Sequence, residues 1–167
     1  MIPISLLAIL LLSGCAPAEP PPDTIIAEPV TEGMQGTVRI VGSAPMNVQV
    51  VLQPQEGRSV RITGPLLPEI ERLGGIVVAL EGTISASPDP MVDRQVEVTN
   101  YDIVSVDGEP VVMGEVLSIS GSSAVLRTDQ GREVTLTAVP SSFEVGQKVW
   151  VQGPGNVVVQ TYGTIRP

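Results

Sequence analysis

The chain has 167 residues, with 17 Gly, 16 Pro and 26 Val, but its aromatic side chains number only four: Tyr101, Phe143, Trp150 and Tyr162. Such usage favours strands and turns, because β-branched side chains suit a pleated surface while Gly and Pro punctuate it. There is no His and only one Cys, which excludes imidazole bases, His-ligated zinc and intramolecular disulfides. A formal charge of −9 speaks against a nucleic-acid binder, whose affinity rests on neutralising phosphates.

The chain opens on a run of roughly 11 apolar residues, Ile2 to Leu12, broken only by Pro3 and Ser5. It is too short to cross a bilayer as a helix, which needs about 20 residues, and has the length of a signal-peptide core. It ends in Leu12-Ser13-Gly14-Cys15, which resembles the lipobox of bacterial lipoproteins: an aliphatic residue, two small ones, then the Cys. The resemblance implies removal of residues 1–14, diacylglyceryl transfer to the Cys15 thiol and acylation of the new amino terminus. Several acyl chains hold a protein on a membrane where one does not. No Lys or Arg precedes the apolar run, a departure that leaves the α-amino group as its positive charge. Ala16 after the Cys, where an Asp would retain enterobacterial lipoproteins in the inner membrane, implies the outer membrane.

Residues 15–32 carry the Cys and a linker. From Ala16 to Glu32 there are five prolines, four acids and no base, a composition that stays extended and solvated. At about 3.1 Å per residue it could hold a domain up to about 50 Å from a lipid surface.

The rest is a duplication. Gly36-Thr-Val38 recurs as Gly114-Glu-Val116, and Gly57-Arg-Ser-Val60-Arg-Ile62-Thr63 as Gly131-Arg-Glu-Val134-Thr-Leu136-Thr137. Leu67-Pro68 recurs as Val139-Pro140, the stretch Gly75 to Gly82 as Gly146 to Gly153, and Val96 to Tyr101 as Val157 to Tyr162. Two copies are too few for a solenoid, so these are two related domains, 33–108 and 109–167, joined by the turn-forming stretch Val106 to Pro110. A barrel of about 60 residues is marginal alone, so the two are expected to pack together.

In the first copy the expected strands lie near 36–42, 46–53, 58–63, 75–82 and 95–105. Val48, Val50 and Leu52 alternate with Gln49 and Gln53. A change of parity between Val98 and Tyr101 predicts a β-bulge. Between strands three and four, Leu66, Ile70 and Leu73 recur at helical spacing, with Pro65 and Pro68 in the first turn and Gly74 as the stop. The order β-β-β-α-β-β resembles the OB-fold, a five-stranded Greek-key barrel with a helix between strands three and four. The expected class is therefore all-β with one short helix: two tandem OB-like barrels, similar to small periplasmic bacterial OB-fold proteins. In the second copy Val139 to Val145 is too short and Ser/Pro-rich for a helix, so Phe143 is the candidate to close that bottom.

The resemblance implies a ligand face on strands two and three and the loops beside it: Gln49, Val51, Gln53, Ser59, Arg61 and Thr63, with the loop 83–95. The candidate ligand residues are Gln49, Gln53, Arg61, Asp89, Asp93 and Arg94. A solvated variable loop accounts for 83–95 equally. The face has no aromatic to stack a base, so nucleic acid is not expected. Asp89, Asp93 and Glu97 match no EF-hand spacing, and neither a metal nor a cofactor is expected. Glu69 and Glu71, two apart on the short helix, do not face each other. Lys148 sits in a strand that reads as half exposed, and no Ser has an activating partner, so no catalytic residue is assigned. Tyr101 and Tyr162 read as packing residues with hydroxyls at the rim, and Trp150, opposite in parity to Val149 and Val151, as an interface residue.

These readings predict a lipid-anchored, non-catalytic envelope protein facing the periplasm or cell surface, with an envelope protein or glycan as partner. The alternatives are an accessory subunit of an envelope complex with no small ligand, or a small hydrolase or metal-dependent enzyme using residues 83–95.

Overall fold

The computed structural model describes residues 31–43, 48–89 and 92–167. The apolar leader, Cys15 and the linker up to residue 30 lie outside the described residues, as do Met91 and the first two positions of the strand expected at 46–53. Among the described residues, no helix is long and apolar enough to cross a membrane.

The chain forms two five-stranded antiparallel-rich sheets, one per repeat. In the first, β1 (Thr31–Val41), β2 (Gln49–Gln53), β3 (Val60–Thr63), β4 (Val77–Ala86) and β5 (Arg94–Ser105) close a barrel in the order β1-β2-β3-β5-β4. Closure comes from a parallel ladder, Arg61 to Gln95, Ile62 to Val96 and Thr63 to Glu97. Val38, Leu52, Val60, Ile62, Val78, Leu80, Val96 and Val98 fill the interior. Each occupies the inward phase of its strand, and the period-two return of these apolar residues is what places them on one face. The predicted bulge is present: Glu81 faces Asn100 while Gly82 faces Val98, so Thr99 is the extra residue.

The helix α1 (Leu67–Glu71) follows β3 and buries Ile70. Pro68 sits in its first turn, where a missing N–H costs little. The expected stop at Gly74 is corrected: the helix ends at Glu71 with Arg72 as its C-cap, and a turn continues to Gly75, which takes the left-handed conformation with φ +88° that a side chain would resist. Leu73, at 1% exposure, keeps to the helical stripe as part of the same barrel floor.

The second sheet comprises β6 (Val112–Ser120), β7 (Ser123–Arg127), β8 (Glu133–Thr137), β9 (Lys148–Gln152) and β10 (Thr161–Arg166), in the order β10-β9-β6-β7-β8. Position for position this is the first sheet's order, and the registers agree. Gly36 faces Val78 as Gly114 faces Val149, Leu52 faces Val60 as Leu126 faces Val134, and Leu80 faces Tyr101 as Val151 faces Tyr162. At Gly36 an added Cβ would overlap the carbonyl of Gln53, and at Gly114 that of its counterpart Arg127. Both glycines recur because two backbones meet there.

The expectation of a second closed barrel is corrected to a five-stranded sheet. A single parallel bridge, Thr137 to Val158, stands where the first copy has a three-residue ladder. The reason is local: Gly153-Pro154-Gly155 forms a 3-10 turn over Pro154–Asn156 in place of extended chain, and proline cannot donate to a ladder. Phe143, 5% exposed, sits in the second core and meets Tyr162 edge-on at 5.1 Å between ring centroids.

The two units share one apolar seam. Val149 and Val151 point into the second core, whereas Trp150 between them joins Met113 and Ile165 in the first unit's cluster. Met113, Trp150 and Gly163 form one transverse row on that outer face. Gly163 leaves the room that the indole occupies.

Candidate functional site

The outer face of β2 and β3 carries the residues singled out in the sequence. Gln49, Val51 and Gln53 alternate with the core residues Val50 and Leu52, and Ser59 and Arg61 alternate with Val60 and Ile62. Val51, only 3% exposed, belongs to neither core cluster. It is covered from outside by the β4–β5 connection, which folds back across the face.

That connection is shorter than expected. Thr83 to Ala86 and Arg94 to Glu97 are strand, paired with each other, because Thr83 and Ile84 continue the β-branched alternation of β4. The loop proper is 87–93. Ser87 Oγ accepts the Asp89 amide at 3.1 Å, a local turn that aims Asp89 at the face, where Gln49 Nε2 donates to its carboxylate. Asp93 pairs with Arg58, which lies in the β2–β3 loop and was not among the expected residues. Its signal was its place opposite the long loop, not any motif. Both partners are largely exposed, at 84% and 60%, so the pair contributes little to stability.

Two adjoining concavities result. One, of about 560 Å³, is lined by Val41, Gln49, Val51, Ser59, Asp89 and Val92. The other, of about 380 Å³, is lined by Gln53, Arg58, Ser59, Val92 and Asp93. Thus Gln49, Gln53, Asp89 and Asp93 are brought together. Arg61 lies on the same face, across from Val51, without lining either concavity. Arg94 lies in β5, in the opposite phase from Gln95, which faces Arg61, and lines neither concavity. Among the described residues, no group of three or more potential metal ligands gathers.

A second polar cluster was not foreseen. Glu69 of α1, 13% exposed, accepts the Tyr101 hydroxyl at 2.6 Å and meets Lys148 Nζ at 3.4 Å and Arg166 Nη1 at 3.3 Å. Lys148 also lies 3.1 Å from Asp129 and 4.5 Å above the Tyr101 ring. Lys148 is therefore mostly covered, at 12% side-chain exposure, and less open than the half-exposed strand position expected, because the first unit covers that face of β9. Burial, then the hydrogen bond to Glu69, push the Tyr101 phenol above its usual range. The sequence signal lay across strands: Glu115, Lys148 and Arg166 form the row beside Met113, Trp150 and Gly163. The cluster joins the units, and Tyr101 and Asp129 also line a concavity of about 190 Å³ with Asp102, Met113 and Arg132.

In comparisons with known proteins, no family model, no curated protein and no solved structure matches the chain.

Proposed function

We propose that this chain is a lipid-anchored envelope protein whose first unit is an OB-like barrel that binds its ligand on the β2–β3 face, without turnover. The observation that carries the reading is the pair of concavities beside the 87–93 loop, where Gln49, Gln53, Ser59 and Asp89 converge around Val51 and Val92. Binding sites are concave and largely apolar, with a few placed polar groups. The OB-like label is supported by the strand order β1-β2-β3-β5-β4 with a helix between β3 and β4. The second unit is a variant of the same pattern, opened by its 3-10 turn. The anchor rests on the Leu12-Ser13-Gly14-Cys15 resemblance and on the acidic, proline-rich stretch that separates it from β1. The partner is an envelope protein or a glycan.

An accessory-subunit reading is favoured by a different observation, the side of β8 and β10 that lacks a ladder, since a bare strand edge is a template for pairing. One experiment separates the two. A photo-crosslinking residue is placed at Gln53 or at Thr135 of the lipidated protein in membranes. Adducts from Gln53 alone support the groove; adducts from Thr135 alone reject it in favour of the subunit reading. In parallel, Cys15→Ser should release the protein from membranes, and unchanged fractionation would reject the anchor.

A further inference from the structure

We infer that the concavity at the junction of the two units binds a free amino acid with a small aliphatic side chain, its ammonium on Asp102 and its carboxylate on Arg132. The site is separate from the β2–β3 face and stands independently of the groove reading above.

The concavity lies where β5 of the first unit meets the start of β6 and the β7–β8 turn of the second, so both units build it. Ligand sites favour such junctions. Its charged lining residues are Asp102, Asp129 and Arg132. Asp129 is already answered by Lys148 at 3.1 Å. Asp102 and Arg132 are both exposed, and among the described residues neither side chain has an ion-pair or hydrogen-bond partner. One small space therefore holds an open anion from the first unit and an open cation from the second. A lone carboxylate would answer Arg132 but meet Asp102 as a like charge, and a lone amine would do the reverse. A ligand that satisfies both carries both charges.

Both groups sit on firm elements. Asp102 lies within β5, opposite Ala79 in the ladder. Arg132 closes a tight turn, in which the Thr128 N–H donates to its carbonyl at 2.8 Å and its own N–H donates to the Thr128 hydroxyl at 3.2 Å. Little backbone ordering is left for the ligand to impose. A guanidinium suits a carboxylate, which it meets with two parallel hydrogen bonds, and an ammonium brings three donors and no acceptor to Asp102. Val111, Val112 and Met113 supply an aliphatic wall for the side chain. At about 190 Å³ the space falls below the roughly 300–1,000 Å³ of drug-sized sites, which sets the ligand at the scale of a single small amino acid.

The test is calorimetric titration of the full chain in detergent micelles with L-valine, N-acetylvaline, which lacks the ammonium, and valinamide, which lacks the carboxylate. Saturable binding of valine is expected, with each blocked form weaker by at least about tenfold, as for loss of a hydrogen bond to a charged group. Arg132→Gln should bring valine down to the level of valinamide, and Asp102→Asn should bring it down to that of N-acetylvaline. Trp150, which faces Met113 across the β6–β9 ladder, reports by its emission in urea whether each variant is folded. Where a variant is not, the three ligands on the unaltered chain decide the matter. Absence of saturable valine binding, equal binding of the three ligands, or folded variants that weaken all three alike would overturn the inference. Any of these results leaves the crosslinking test at Gln53 unaffected, so the two sites fail or stand separately.

Discussion

Glu69→Gln tests whether the seam between the two units is held by its polar cluster or by its apolar row alone. The substitution keeps volume and shape but replaces a carboxylate that serves Tyr101, Lys148 and Arg166. Arg166 is half exposed, at 52%, so its share is small. Lys148 retains Asp129 at 3.1 Å, which spares the full cost of a stranded charge. What is lost is the charged character of the Tyr101 hydrogen bond and one of two attractions on Lys148. Hydrogen bonds to charged groups are worth about 1.5–3 kcal/mol, so the expected destabilisation is about 2 kcal/mol. Trp150 is the chain's single tryptophan and lies in the seam, so its fluorescence reads separation of the units directly. Urea unfolding followed by that emission should show a lower midpoint for Glu69→Gln. The control Glu71→Gln, exposed on the same helix, should stay within about 0.5 kcal/mol. A double cycle with Lys148→Met should return a coupling of about 1 kcal/mol or more. Equal effects of the two glutamine variants, or a Glu69→Gln change below about 0.5 kcal/mol, would refute the argument.

The Tyr101 phenol is held protonated in the fold by burial and by Glu69, with Asp129 adding to the effect and Arg166 opposing it. Its folded pKa exceeds the unfolded value of about 10, so its contribution is fully present below pH 10 and is lost as pH rises above it. Stability measured from pH 8 to 11 should fall at the upper end, and Tyr101→Phe should flatten that fall. Gly36→Ala, which drives a Cβ into the Gln53 carbonyl, should cost about 1–3 kcal/mol. Gly33→Ala, with open space on the same strand, should be neutral in thermal melts, and equal losses would discredit the close-approach explanation. The isolated segment 109–167 should show no cooperative melt by circular dichroism, since Trp150, Met113 and Ile165 would lose their partners. A sharp transition in that fragment would contradict this.

Much of the fold was legible because duplication tests itself. A single Gly-x-Val means little, but the same glycine returning before the same valine placed Gly36 and Gly114 at equivalent points of two sheets. The bulge at Thr99 showed as a parity change in Val96, Val98 and Tyr101. Trp150 was legible as a seam residue because its parity set it against Val149 and Val151. What could not be read were facts of three-dimensional closure. Nothing in Gly153-Pro154-Gly155 alone says that the second sheet would stop at one bridge. On the β2–β3 face, loop length and strand phase were enough to group Gln49, Gln53, Asp89 and Asp93, which line the two concavities. Arg58 and the Glu69 cluster were missed, because residues brought together over long separations leave no local pattern. Arg94 was counted with the loop although it begins β5, so the phase of that strand was not applied to it.

The asymmetry between the copies has a physical logic. Each unit of this order has a floor that something must cover. In the first copy α1 does so with Ile70 and Leu73, fully buried. Glu69, on the flank of that buried stripe, meets Lys148 of β9 and Arg166 of β10. One helix thus closes its own barrel and docks the neighbouring sheet. A second helix would have to bring its own apolar stripe, whereas Phe143 and the Ser142 hydroxyl, 2.8 Å from that of Tyr162, close the smaller floor with a turn. The cations facing α1 come from β9 and β10 of the second copy, at positions where the first copy has Val77 and Ser105. A first-copy sheet in that place would have no cation to meet Glu69. The helix of the first copy and Lys148 and Arg166 of the second are therefore two halves of one packing solution.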